Sequence, residues 1–175
     1  MKRICALALA VCLLLSLPGC LANEENLKAP VNFYYLRSDL TYWESDSVIA
    51  AEVREAYGHT EDLRYLILLY LRGPASSGLY SPFPAETTLA GLMQNGSTLT
   101  ITLDGCSLTE QSKLQATLAC VSLAKTCFEL ADITSVRVNT LSGIASGEAD
   151  IIVDAETLLL WDECATVPPK TTEDQ

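Results

Sequence analysis

Histidine occurs once in these 175 residues, at position 59, and that scarcity excludes much chemistry. A Ser-His-Asp site would have to be built on His59, and no serine stands in the Gly-x-Ser-x-Gly setting that exposes a nucleophile. Cys-x-x-Cys spacing is missing, which argues against a zinc site or a thioredoxin-like pair. Neither Asp150, Asp154 and Glu156 nor Asp162 and Glu163 have calcium-loop spacing, so surface charge explains them better. Gly73, Gly78, Gly143 and Gly147 form no phosphate-cradling pattern after a strand. The sequence therefore assigns no catalytic residue, no metal and no cofactor. Positive charge is scarce as well, with 11 Lys and Arg against 22 Asp and Glu. Such a surface disfavours nucleic acid and an anionic lipid face, both of which need a basic patch.

Long apolar runs are confined to the start of the chain. Lys2 and Arg3 precede an apolar stretch over residues 4–17, the pattern of a secretory signal. It is shorter than the ~20 residues a spanning helix needs. It ends in Leu17-Pro18-Gly19-Cys20, which resembles the lipobox of bacterial lipoproteins. Residues 1–19 are thus expected to leave as a signal peptide, with Cys20 becoming the lipidated N-terminus. An ordinary secretory signal or an uncleaved anchor is the competing reading. Each buried methylene is worth ~0.8 kcal/mol, so several acyl chains on Cys20 would hold a domain to a membrane. Loss of two basic groups leaves nine against 22 acidic ones, a net charge of −13.

Cys5 and Cys12 go with the signal, leaving Cys106, Cys120, Cys127 and Cys164 beside the lipidated cysteine. Cys120 and Cys127 lie seven apart on a helical pattern, ~10 Å along its axis, too far to pair with each other. Two disulfide connectivities remain, each joining Cys106 and Cys164 to that helix. Buried free thiols are the reading we favour, since both helical cysteines fall in an apolar arc.

Residues 20–29 read as the lipidated cysteine and a short polar tether, 30–163 as a single domain, and 164–175 as a polar tail. Residues 31–36 form an aromatic-rich first strand, with Phe33 and Tyr35 on one face and Tyr34 on the other. Residues 48–57 fit either a short helix or a strand, and a strand is favoured for the first half. A helix follows from Thr60, its expected cap, with Glu61 and Asp62 in the first turn and Gly73-Pro74 as the stop. Residues 75–84 are a Gly-, Ser- and Pro-rich loop. A strand over 87–93 meets a strand over 98–103 through an Asn95-Gly96 hairpin. Residues 109–130 read as a long helix with an apolar arc from Leu114 to Leu130 and a polar stripe of Gln111, Gln115, Ser122, Thr126 and Glu129. A strand over 133–139, a loop over 142–147 and a final hairpin of 150–153 with 158–161 complete the pattern. The expected class is α+β: a small mixed or antiparallel sheet packed with two main helices.

The order of these pieces resembles the sporulation and spore germination domain known as GerMN. The resemblance rests on Leu71, Gly73 and Pro74 at the helix end, then Gly78, Ser81 and Pro84, then the Asn95-Gly96 hairpin and the long apolar helix. It implies a fold like the ring-building motif of sporulation complexes, a Gram-positive lipoprotein and the absence of a catalytic constellation. It also implies that the motif residues are structural. The partners expected are the membrane, through lipid on Cys20, and envelope proteins or further copies of the chain. Phe33, Tyr34, Tyr35, Tyr42, Trp43 and Tyr80 are candidates for a partner surface, with core packing as the competing role. A second function class, an envelope enzyme or solute-binding lipoprotein, would place its site between the 75–84 loop and the 143–147 loop.

Overall fold

A computed structural model describes residues 29–38 and 48–158. Cys20, Tyr42, Trp43, Cys164 and the expected strand residues 159–161 lie outside them. β1 (Pro30–Arg37), β2 (Ile49–Glu55) and β3 (Leu79–Tyr80) form one sheet in the order β2-β1-β3. β4 (Thr88–Asn95), β5 (Thr98–Asp104), β6 (Ser135–Thr140) and β7 (Ile151–Asp154) form the other in chain order. Among the described residues, the helices that join them are α1 (Leu63–Leu71), α2 (Lys113–Leu130) and α3 (Leu141–Ser146). The expected α+β class holds, with the strands divided between two sheets.

β5 and β6 run parallel and every other pair is antiparallel. Parallel neighbours need a long crossover, and α2 supplies it. α2 packs on β1 as well as on β6 and β7, so it ties the two sheets together, while α1 lies against β4. Alternation along β5 and β6 sends Leu99, Ile101, Leu103, Val136 and Val138 into a common interior, where they are buried. Each such side chain is worth about 1.5–3 kcal/mol of burial. These strands match the period-2 pattern read from the sequence.

Several boundaries differ from expectation for identifiable reasons. The cap of α1 is Asp62 rather than Thr60, its carboxylate accepting from Tyr65 N at 3.0 Å. α2 starts at Lys113 because Ser112 and Gln115 close a reciprocal capping box, which leaves Leu114 63% exposed instead of in the apolar arc. The hairpin forms, but its two loop residues are Gly96 and Ser97, with Asn95 paired to Thr98 and Gly96 at φ +59°. Residues 142–146 are helical rather than part of a loop: Thr140 Oγ1 accepts from Gly143 N at 3.0 Å, and Gly147 ends α3 at φ +75°. β7 pairs with β6, and residues 155–158 turn helically, burying Leu158, while the rest of the second strand expected for the final hairpin lies outside the described residues. Among the described residues, no helix is long and apolar enough to cross a membrane.

Candidate functional site

The crossing from α1 to β4, which carries the motif residues, is held by β2. Glu52 and Arg54 stand two apart on that strand and so share a face. Glu52 is buried, and its carboxylate accepts from Ala75 N at 3.0 and 3.2 Å and from Ser76 N at 2.7 Å. Burial alone would raise its pKa. The Ser76 side chain, the two backbone N–H groups and the nearby Arg54 charge outweigh that effect and hold it below the usual value. Arg54 donates to Gly73 O at 3.1 Å and Leu69 O at 3.5 Å, and lies 5.7 Å from the centre of the Phe33 ring. One strand thus satisfies the last carbonyls of α1 and the first amides beyond Pro74.

Among the motif residues, Leu71 is buried, and Gly73 takes φ +85°, the left-handed conformation that lets the chain leave α1. Ser81 Oγ accepts from Phe83 N at 3.3 Å, and Pro84 O accepts from Thr87 N at 3.0 Å, so both shape turns. Gly78 has open space around a would-be Cβ, and no steric demand explains a glycine there. Beyond the crossing, Leu36, Tyr80, Phe83, Pro84, Gln111 and Leu118 line an open groove of about 350 Å³.

The aromatic candidates separate. Phe33 and Tyr35 are fully buried, so neither meets a partner surface: Tyr35 stacks on Tyr70 at 4.7 Å, and Phe33 lies edge-on to both. Burial pushes the Tyr35 pKa up to about 12 despite the charge and hydrogen bond of Arg54, and burial also raises Tyr70 well above its ordinary value. Tyr34 is half-buried along α2, and Tyr80 is 47% exposed at the groove. Of the candidate rings within the described residues, Tyr80 offers the most surface; outside that set, Tyr57 is 61% exposed.

The polar stripe of α2 does not face water alone. β3 covers β1 only at Leu36 and Arg37, and at Tyr34 two helix hydroxyls take the place of a neighbouring strand. Thr126 Oγ1 accepts from Tyr34 N at 2.9 Å, and Ser122 Oγ donates to Tyr34 O. With the Ser122 proton so committed, Tyr70 OH donates to Ser122 Oγ at 3.0 Å, while Tyr35 OH donates to Tyr70 O at 2.9 Å. Further along the stripe, Glu129 accepts from Asn32 Nδ2 at 2.8 Å and from Tyr34 OH. Ser122, Thr126 and Glu129 follow the i, i+4, i+7 spacing of one helix face, a signal present in the sequence.

The remaining sequence candidates are scattered. His59 stacks on Tyr65 at 4.1 Å beside the start of α1, and Asp150 pairs with Arg137 at 3.2 Å. Cys120 and Cys127 are free and buried, with burial pushing both thiols up to about 12, whereas Cys106 is half-exposed. Thiols so protonated are poor nucleophiles. The 75–84 and 143–147 loops line different cavities and do not converge on one site.

A sequence model of the Germane family, described as sporulation and spore germination, matches residues 32–140, and the chain belongs to that family. No curated protein matches the chain. Among solved structures, a Clostridium perfringens protein assigned as a lipoprotein aligns at 19% identity and a TM-score of 0.42, over 65% of this chain and 75% of its own. The tandem GerMN domains of the sporulation protein GerM from Bacillus subtilis align at 18% identity and a TM-score of 0.46, over 68% of this chain. That alignment spans 41% of the tandem protein.

Proposed function

We propose that the protein is a lipid-anchored, extracytoplasmic assembly module, held through Cys20 to the membrane of a Gram-positive cell, and that it binds envelope proteins or further copies of itself without catalysis. The family match over residues 32–140 carries the sporulation and germination context. Support for a scaffold role comes from how the buried polar groups are used. Glu52, Ser122 and Thr126 spend their bonding capacity on backbone amides and carbonyls, which leaves them committed to the fold. The enzyme or solute-binding alternative draws no support from geometry, because the two loops it joins lie on separate cavities.

Anchoring is tested by fractionating cells that express the wild-type chain or Cys20→Ser. The wild-type chain is expected in the membrane fraction and to incorporate labelled fatty acid. The variant is expected to lose the label and to leave the membrane. A variant that stays membrane-bound, or a wild-type chain without label, would overturn the lipid anchor.

A further inference from the structure

An open groove of about 230 Å³ runs between α2 and β7, lined by Thr117 and Val121 of the helix, Ile152 and Val153 of the strand, and Leu158. Thr117 and Thr157 supply its polar part, and among the described residues no charged side chain lines it. The apolar surface continues past the rim: Ile152 is exposed, and so is Leu114, one turn before Thr117 on the same face of α2. Contiguous apolar surface of this kind marks a place where something docks. The chain itself leads into the groove. Leu158 is buried against it, and the sequence continues Leu159-Leu160-Trp161 before turning acidic at Asp162 and Glu163.

We propose that Leu159 to Trp161 close this groove from within the same chain, with the Trp161 ring lying over Val121 and Ile152. Reach favours it, since three residues span at most ~10 Å from Leu158 when fully extended. Size favours it too, because the groove is several times the ~30 Å³ share of one water and takes a large side chain. A buried indole needs an acceptor for its N–H. Thr117 offers one: its hydroxyl donates to Lys113 O at 2.8 Å, which leaves its lone pairs to accept. A segment joined so closely to its site has an effective concentration of ~mM or more, so it outcompetes a second copy or a separate protein for the same surface. Residues 159–161 then belong to the packed domain, and the acidic pair at 162–163 returns the chain to water.

The test is acrylamide quenching of Trp161 in the full chain, held in phospholipid vesicles and carrying Trp43→Phe so that one of the two tryptophans remains. Emission is expected to be blue-shifted from that of free tryptophan, with a quenching constant at least threefold lower. Thr117→Lys and Ile152→Lys put charge into the groove at surface positions. Each should raise the quenching constant at least twofold and shift emission to the red, with circular dichroism unchanged. Gln94→Lys, exposed on β4, should alter neither. Protection should also persist when the chain is diluted into excess vesicles, since the contact lies within one molecule. Water-like quenching of Trp161, protection that survives both groove substitutions as membrane insertion would, or protection lost on dilution as docking from a second copy would be, overturns the proposal.

Discussion

Glu52→Ala is expected to destabilise the protein by about 2–3 kcal/mol, because hydrogen bonds to a charged group are worth about 1.5–3 kcal/mol and Glu52 accepts from two backbone amides. The donors are Ala75 N and Ser76 N, which begin the crossing after Gly73-Pro74. Glu52→Gln keeps an acceptor and should cost less, about 1–2 kcal/mol. The pH dependence separates charge from shape. Glu52 has its pKa lowered below its ordinary value in the folded state, so its contribution is complete above the unfolded value and is lost as pH falls through the folded one. The wild-type chain should therefore lose more stability between pH 7 and pH 3 than Glu52→Gln does. Urea unfolding at those two pH values measures the difference. Equal acid losses in the two proteins would show that the carboxylate charge contributes nothing.

The second large effect is expected at the junction of α2 and β1. In Ser122→Ala/Thr126→Val, the N–H and C=O of Tyr34 and the hydroxyl of Tyr70 all lose partners inside the protein. Each buried orphan costs about 1–3 kcal/mol, and because the groups share one network the losses should not simply add. A combined loss of about 3–4 kcal/mol is expected on that scale, together with faster hydrogen exchange at the Tyr34 amide. Gln111→Ala, at a position that the sequence pattern places in the same stripe but that precedes α2, should change stability by less than about 0.5 kcal/mol, as substitutions away from buried networks do. A double variant as stable as Gln111→Ala would mean that α2 does not serve β1 as its missing neighbour.

Both predictions concern residues whose importance the one-dimensional pattern obscures. The alternation Leu99, Ile101, Leu103 and the turn at Gly73-Pro74 translate directly into structure, because a strand with one wet face and a left-handed helix stop each have few alternatives. β2 inverts the usual rule. Val53 is 66% exposed while Glu52 is buried, so apolar-in reasoning assigns its faces backwards. The reason lies outside the segment: the amides after Pro74 and the carbonyls at the end of α1 need partners, and β2 faces them. The stripe of α2 is similar. Its helical spacing is readable, but whether a polar stripe faces water or a strand edge depends on how short β3 is. The family motif from Leu71 to Pro84 was legible as backbone geometry, whereas Glu52 and Arg54, which hold it in place, stood in an ambiguous segment. Among the aromatics, β1 alternates as expected, and burial then decides that Phe33 and Tyr35 belong to the core.

That burial leaves Tyr80, at the rim of the groove beside Phe83 and Pro84, as the place to look for a partner. The most direct test of an assembly role is a photo-crosslinking residue placed at Tyr80 in the full, anchored chain in living cells, with a matched probe at the exposed Lys113 as control. A discrete protein adduct from position 80, absent from position 113, is the expected result, and its mass would distinguish a second copy from another envelope protein. A chain that gives no adduct at position 80 and remains monomeric in the membrane would contradict the proposal.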